Sequence, residues 1–251
     1  MDNRYSRQIA FSKIGTQGQE RILQARIAIV GMGALGSASA NNLARAGIGL
    51  LRLIDSDTVE ITNLQRQLLY TEADAKSDVP KVDAARLYLQ KINSEIEIDS
   101  VKEKLTPSNA EDLLSNIDIV IDGTDNIDAR YLINETCNKL GIPWVYGAAL
   151  GSTGAVFACI PGSVCFRCLF PEDNSTGESC ITNGVLHSLT TIVSSLQVTE
   201  AMKILMGVPT SGFLTFDIWN NYFECIKIEQ NPDCPVCVRN EYSVLNNFRG
   251  V

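Results

Sequence analysis

Residues Arg26 to Val30 read RIAIV, and the chain then turns through GMGALG, with glycines at Gly31, Gly33 and Gly36. A short apolar run that stops at glycine is the pattern of a parallel strand buried on both faces. Glycines at this spacing permit a tight turn, close approach of a bound group to the main chain, and a helix packed against its strand. The turn therefore predicts a strand, an anion-binding loop and a helix over Leu35 to Ala46. Such a unit suits a doubly wound, mostly parallel sheet.

The rest of the chain extends that pattern. LLRLID predicts a second strand ending at Asp55, and Val79 to Ile92 a helix with Val82, Ala85, Leu89 and Ile92 on one stripe. Ser77 or Asp78 is expected to cap this helix, and Pro80 suits its first turn. IEIDSV, IDIVID and PWVYG read as strands three to five. After about Gly151 the pattern changes. TGAVFACI reads as a strand, an irregular cysteine-bearing stretch runs to Gly184, and a long apolar helix covers Val185 to Met206. FLTFDIW and YFECIKIE then form a strand pair before the tail NPDCPVC. The expected class is α/β, a Rossmann-like sheet with an antiparallel C-terminal extension completing one domain over 1–251.

Within that frame the GMGALG turn points to a nucleotide. Its helix N-terminus offers N–H donors to phosphate, and Asp55, ending the next strand, stands where a carboxylate grips ribose hydroxyls. Asp57 follows two residues later in the same loop. The basic residues narrow the choice of nucleotide. Asn63 and Arg66 lie in TNLQRQ just beyond the second strand, in a region that a dinucleotide dehydrogenase need not make basic. Lys81 lies in the first turn of a helix, where a cation is unfavourable unless an anion is close. Arg4 and Arg7 stand in RYSRQ. The net charge is −8, which gives a nucleic-acid surface no support, so any bound anion depends on such local groups. IDIVIDGTDN adds Asp125 at the sheet edge where ligands of open α/β folds bind, and it fits hard-oxygen ligation of Mg²⁺ on a triphosphate. Asp122 reads as a turn or cap residue.

No apolar run reaches the length of a membrane span and MDNRYSRQIA has no hydrophobic signal core, so a cytoplasmic location is expected. Eight cysteines there argue for metal or thiol chemistry rather than disulfides. Cys165/Cys168 and Cys234/Cys237 are two CxxC pairs, open to tetrahedral zinc or to a redox role. Cys180 lies outside both, in GESCITNGV. Cys137, Cys159 and Cys225 are expected to be buried packing residues. His187, the one histidine, is expected to be a satisfied structural residue.

In chain order, RYSRQ, GMGALG, IDSDTVEITNLQRQ, PKVDAA, GTDN, CFRC and CPVC resemble the motifs of the ThiF/MoeB group of sulfur-carrier adenylyltransferases, relatives of the ubiquitin-activating enzymes. The resemblance spans nearly the whole chain. It implies ATP-dependent adenylation of the C-terminal carboxylate of a small ubiquitin-like carrier ending in Gly-Gly, and a homodimer. In it Asp55 binds the ribose, Asn63, Arg66 and Lys81 hold phosphates, Asp125 binds Mg²⁺, and Arg7 reaches the partner subunit's pocket. The four paired cysteines bind structural zinc, and Cys180 matches a cysteine that forms a covalent sulfur link in thiazole-type members but is a dispensable spectator in molybdopterin-type ones. By the same likeness residues 1–25 form a helical arm, 26–150 the nucleotide-binding core and 151–251 a carrier-binding half. Little chain follows Cys237, so the sulfur donor is expected to be a separate protein.

Three other assignments bracket this one. A protein modifier could replace the sulfur carrier. An NAD-dependent oxidoreductase accounts for GMGALG and Asp55 but leaves Arg66, Lys81, Asp125 and the CxxC pairs unused. A zinc-bearing nucleotide scaffold would bind ATP without carrier-dependent pyrophosphate exchange.

Overall fold

The structure, a computed structural model, describes residues 3–171 and 184–246. Its strands are β1 (Arg26–Val30), β2 (Leu50–Ile54), β3 (Glu97–Val101), β4 (Ile119–Asp122), β5 (Trp144–Leu150), β6 (Thr153–Cys159), β7 (Phe213–Asp217) and β8 (Tyr222–Ile226). They make one sheet in the order β3-β2-β1-β4-β5-β6-β7-β8. Pairing is parallel from β3 to β5 and antiparallel from β5 to β8. Successive connections step outward in opposite directions from β1, so the sheet switches direction between β1 and β4.

Helices α1 (Ser6–Ile9), α2 (Gly15–Gln24), α3 (Ala34–Ala46), α4 (Glu72–Lys76), α5 (Lys81–Ile92), α6 (Ala110–Leu114), α7 (Ile127–Leu140), α8 (Phe166–Leu169), α9 (His187–Met206) and α10 (Ser243–Asn246) cover it. Alternation along β1 divides the core in two. Ile27 and Ile29 face a cluster with Leu43, Val82, Leu89 and Val193, while Ala28 and Val30 face one with Leu114, Leu132, Ile133 and Trp144. The expected stripe on α5 is present: Val82, Ala85 and Leu89 are fully buried and Ile92 packs beside them.

Two local expectations change. The helix expected from Val79 begins at Lys81, with Pro80 as its N-cap and no cap from Ser77 or Asp78. The cause is a short antiparallel pairing. Val59 N–H donates to the Val79 carbonyl and Lys81 N–H to the Asp57 carbonyl, both at 2.9 Å, holding Pro80 extended opposite Thr58. Ser77 instead ends α4, an unexpected helix nucleated by a reciprocal cap between Thr71 and Asp74.

The N-terminal arm is tied down by polar contacts. Tyr5 is buried and its hydroxyl accepts from Asn93 Nδ2 at 2.9 Å, while Gln8 Nε2 donates to the Ala46 carbonyl at 3.0 Å. At the other end Glu135, buried on α7, accepts the Leu245 N–H at 2.9 Å and so holds the C-terminal tail.

Candidate functional site

Gly31 leaves β1 with φ +88°, a left-handed conformation that favours glycine, and Gly36 begins a close contact between helix and strand. A Cβ on Gly36 would lie 1.9 Å from the Gly31 carbonyl oxygen, so no side chain fits there. Gly33 is different: a Cβ there would meet nothing nearer than 3.9 Å. No described atom crowds Gly33, which fits a position kept open for a ligand. The turn lies beside Gly123 at the switch between β1 and β4.

Asp55 sits just past β2 and braces this turn. Its Oδ2 accepts the Met32 N–H at 2.6 Å and its Oδ1 the Asp57 N–H at 2.7 Å. Burial raises the Asp55 carboxyl above its ordinary range, against the pull of these two N–H groups and of Lys81. Two carboxylate oxygens offer about four acceptor positions, so the carboxylate keeps capacity for two further hydroxyls.

Lys81 is brought here by the 57–59/79–81 pairing. It is buried, and its Nζ lies 2.8 Å from Asp57 Oδ2, whose own side chain is 66% exposed. The Asp57 carboxylate supplies the anion that a lysine in the first turn of a helix requires. Asn63 is buried and accepts the Glu60 N–H at 3.1 Å, while Arg66 donates to the Thr62 carbonyl at 3.0 Å. Their segment is stitched to the glycine turn: Leu68 N–H donates to Ser37 Oγ at 3.3 Å and Tyr70 Oη to the Met32 carbonyl at 2.6 Å. Asp55, Asp57, Lys81 and the glycine turn thus meet, with Arg66 on a strap tied to the same turn.

Asp125 is exposed at the carboxyl end of β4 and makes no hydrogen bond to the described residues, so its carboxylate oxygens are available to a hard cation. Asp122 does more than end the strand. It is fully buried, accepts from Thr124 N and Oγ1 at 2.9 and 2.6 Å, and pairs with Arg130 Nε at 3.0 Å. Arg130 Nη2 also donates to the Thr124 and Gly147 carbonyls at 2.9 and 3.2 Å. Burial works against the Arg130 charge, but the Asp122 carboxylate outweighs it and holds the guanidinium above its ordinary value. Arg130 thereby fixes the loop that carries Asp125. Sequence reasoning missed Arg130 and Tyr70, because neither lies in a motif with a recognisable spacing.

Of the N-terminal arginines, Arg4 is used within the chain, donating to the Ile92 carbonyl at 3.1 Å at the end of α5. Arg7 is exposed, and no described residue pairs with it.

The four paired cysteines converge. Their Sγ atoms all lie within 4.8 Å of one another, with Cys165–Cys234 at 3.6 Å and Cys168–Cys237 at 3.5 Å. A tetrahedral zinc with Zn–S of about 2.3 Å requires sulfur–sulfur edges of about 3.8 Å. The four thiols are therefore a site fit for zinc. Burial pushes the Cys165 thiol well up and Cys237 up to about 11, so a bound cation is what would make thiolates of them at neutral pH. Asn134 Nδ2 donates to Cys165 Sγ at 3.8 Å and Gln230 Nε2 to Cys237 Sγ at 3.4 Å.

Cys180 lies outside the described residues. Cys137 and Cys159 are buried as expected, and burial raises both thiols, as it does for inert packing cysteines. Cys225 is exposed, contrary to expectation, because β8 is an edge strand with all five residues exposed. His187 is also exposed, and its side chain has no hydrogen-bond partner among the described residues. No helix among these residues is long and apolar enough to cross a membrane.

Comparison with known proteins identifies a family. The ThiF family matches residues 5–236. The sulfur carrier protein ThiS adenylyltransferase of Bacillus subtilis is 39% identical over 250 residues, covering 98% of this chain and 74% of that protein. The SAMP-activating enzyme E1 of Haloferax volcanii is 38% identical, covering 94% of this chain and 88% of that one. Among solved structures, Escherichia coli MccB with ATP superposes with a TM-score of 0.82 over 94% of this chain and 75% of that one, at 22% identity, a likeness of fold. The match begins at the buried Tyr5 that anchors the N-terminal arm and ends inside the second CxxC pair, and the chain belongs to the ThiF family.

Proposed function

We propose that this protein uses ATP to adenylate the C-terminal glycine carboxylate of a small ubiquitin-like sulfur carrier, giving an acyl-adenylate and pyrophosphate. The observation that carries this reading is the meeting of an open glycine turn, the Asp55 carboxylate and the buried Lys81 ammonium at the switch point of the sheet. Its relatives named as carrier adenylyltransferases support the choice of acceptor.

A terminal carboxylate, with an ordinary pKa of about 3.3–3.7, is already an ionised nucleophile at neutral pH. One of its oxygens attacks the α-phosphorus, the bond from that phosphorus to the bridging oxygen breaks, and pyrophosphate leaves with the electron pair. No proton has to be removed, so a site without a histidine suffices. The protein's work is positioning and charge neutralisation. Asp55 accepts ribose hydroxyls, and the α3 N-terminus, Asn63, Arg66 and Lys81 face the phosphates. Asp125 would hold Mg²⁺, which neutralises charge on the phosphates when bound. Lys81 leaves Asp57 for phosphate as ATP enters.

Residues 26–150 serve as the nucleotide core, 151–251 receive the carrier, and the 1–25 arm lends Arg7 to a partner subunit in a homodimer. The open edge at β8 supports the assignment of 151–251 to the carrier, since Trp219, Tyr222, Phe223 and Ile226 are all exposed there. Zinc on the four cysteines is structural. Sulfur comes from a separate donor protein, and the reaction belongs to the cytoplasm, where the thiols stay reduced.

Carrier-dependent ATP–pyrophosphate exchange tests the proposal. Lys81→Ala and Asp125→Ala are expected to lower exchange by at least about a hundredfold, the scale of losing a charge-stabilising group, without unfolding the chain. Near-normal exchange in both variants, or thermal stabilisation by NAD in place of ATP with Mg²⁺, would overturn it.

A further inference from the structure

Tyr70 is only 8% exposed and sits in the apolar cluster beneath α3 and α5. Among the described residues its hydroxyl has one partner, the Met32 carbonyl at 2.6 Å. Burial, with the charges of Asp55, Asp57 and Asp74, pushes that hydroxyl well above the ordinary tyrosine range. It therefore stays a protonated donor at any working pH.

The bond falls on a particular peptide, the one joining Met32 to Gly33. In a trans peptide the C=O and N–H point in opposite directions. Holding the Met32 carbonyl on the Tyr70 side therefore turns the Gly33 N–H to the other side. That N–H has no acceptor among the described residues, and the space at Gly33 is open. The preceding peptide is fixed as well, because Asp55 Oδ2 takes the Met32 N–H at 2.6 Å.

We propose that Tyr70 is a positioning residue of the nucleotide site, clamping the Met32–Gly33 peptide so that the Gly33 N–H donates to a phosphate of the bound nucleotide. This rests on the ATP-binding assignment above. Glycine makes the clamp necessary. A residue free to adopt nearly any φ allows this peptide to flip, and the flipped form turns a carbonyl oxygen towards the phosphates. Tyr70 selects the orientation that attracts an anion.

The test compares Tyr70→Phe with the wild type by titration calorimetry against ATP and against adenosine, which has the ribose and base but no phosphate. The variant is expected to bind ATP about fivefold to tenfold more weakly, the scale of one hydrogen bond, and adenosine equally well. Unchanged ATP affinity overturns the proposal. So does an equal loss for both ligands, which marks a pocket that has merely loosened. A wild type that binds adenosine but gains nothing from the phosphates also overturns it, whereas a wild type that binds neither refutes the nucleotide assignment itself. Should Tyr70→Phe fail to fold, the Gly33 amide in wild-type NMR spectra decides. Slower hydrogen exchange with ATP but not with adenosine supports the clamp, and no difference between the two ligands overturns it.

Discussion

On the parallel side of the sheet every residue of β4, and every residue of β1 after Arg26, is buried, whereas at the antiparallel end every residue of β8 is exposed. The two tryptophans record the same contrast, Trp144 at 0% exposure and Trp219 at 74%. The buried side builds its site from main chain. Helices on both faces force glycine, carbonyl and N–H groups into fixed positions, and a few polar side chains brace them. The open end has little apolar cover for β8, and the tail beyond it is held by four thiols and by Glu135. One region is ordered by packing, while zinc on the four converging thiols would order the other, so each should fail to a different insult.

The largest separation comes from removing the metal. Structural zinc sites contribute about 10–16 kcal/mol of binding energy in small zinc domains, and the described cysteines have no other bond to replace it. A strong chelator is expected to free the tail and release Phe166, which lies between two of the cysteines and packs on Trp144 at 5.7 Å between ring centroids. Trp144 emission should shift to the red while ATP still raises the melting temperature. Loss of ATP binding together with the metal would show that the two ends form one cooperative unit. Acid should release the metal too, because zinc must displace the protons that burial holds on Cys165 and Cys237.

Next in size is a pair of glycine variants within the packed region. Gly36→Ala forces a methyl to 1.9 Å from the Gly31 oxygen, and is expected to cost about 4 kcal/mol or more, enough to prevent folding. Gly33→Ala, with 3.9 Å of room, should fold within about 1 kcal/mol of wild type yet lose most ATP affinity. Melting curves with and without ATP distinguish the two. Similar melting losses in both would mean that Gly33 serves packing and not the ligand.

A smaller effect is expected at the open edge. Trp219→Ser removes a side chain that is 74% exposed, so stability should change by no more than about 0.5 kcal/mol. Phe223→Ser also removes a ring stacked on Phe216 at 4.8 Å between centroids and should cost about 1 kcal/mol. ATP binding should be untouched, and the carrier's KM in pyrophosphate exchange should rise about tenfold, the scale of removing one apolar anchor from a protein interface. An unchanged KM would move the carrier away from β8.

What the sequence disclosed follows the same division. The strand, turn and helix around GMGALG were legible because their signals are local: an apolar run, glycine spacing and a helical stripe within a few dozen residues. The two CxxC pairs were legible as pairs, but their meeting across the fold came from the family likeness, since spacing alone left redox pairs open. Arg130 and Tyr70 were hidden because their partners, Asp122 and the Met32 carbonyl, are reached through tertiary packing. The start of α5 was misjudged because Pro80 is drawn into an extended pairing with Thr58, which outweighs its preference for a first helical turn. Cys225 was expected to be buried because YFECIKIE reads as a strand, and nothing in that run says that its strand lies at an edge.

The smallest effect lies in the pH dependence of Asp55. Folding raises its pKa, chiefly by burial, so the fold favours the neutral carboxyl. That contribution to stability is complete below the ordinary aspartate value of about 3.9 and is lost as pH rises through the raised value. A ribose requires the opposite state, because the ionised form accepts from hydroxyls while it also holds the Met32 and Asp57 N–H groups. Acidification should therefore weaken nucleoside binding while this residue's own effect on the fold becomes more favourable. Adenosine is the suitable probe, as it has no phosphate to titrate. Its affinity should fall as pH drops from neutral towards the ordinary aspartate value of about 3.9, with a midpoint above that value. An affinity that stays flat over this range would remove Asp55 from the ribose, leaving it only the bracing of Met32 and Asp57 in the packed half of the molecule.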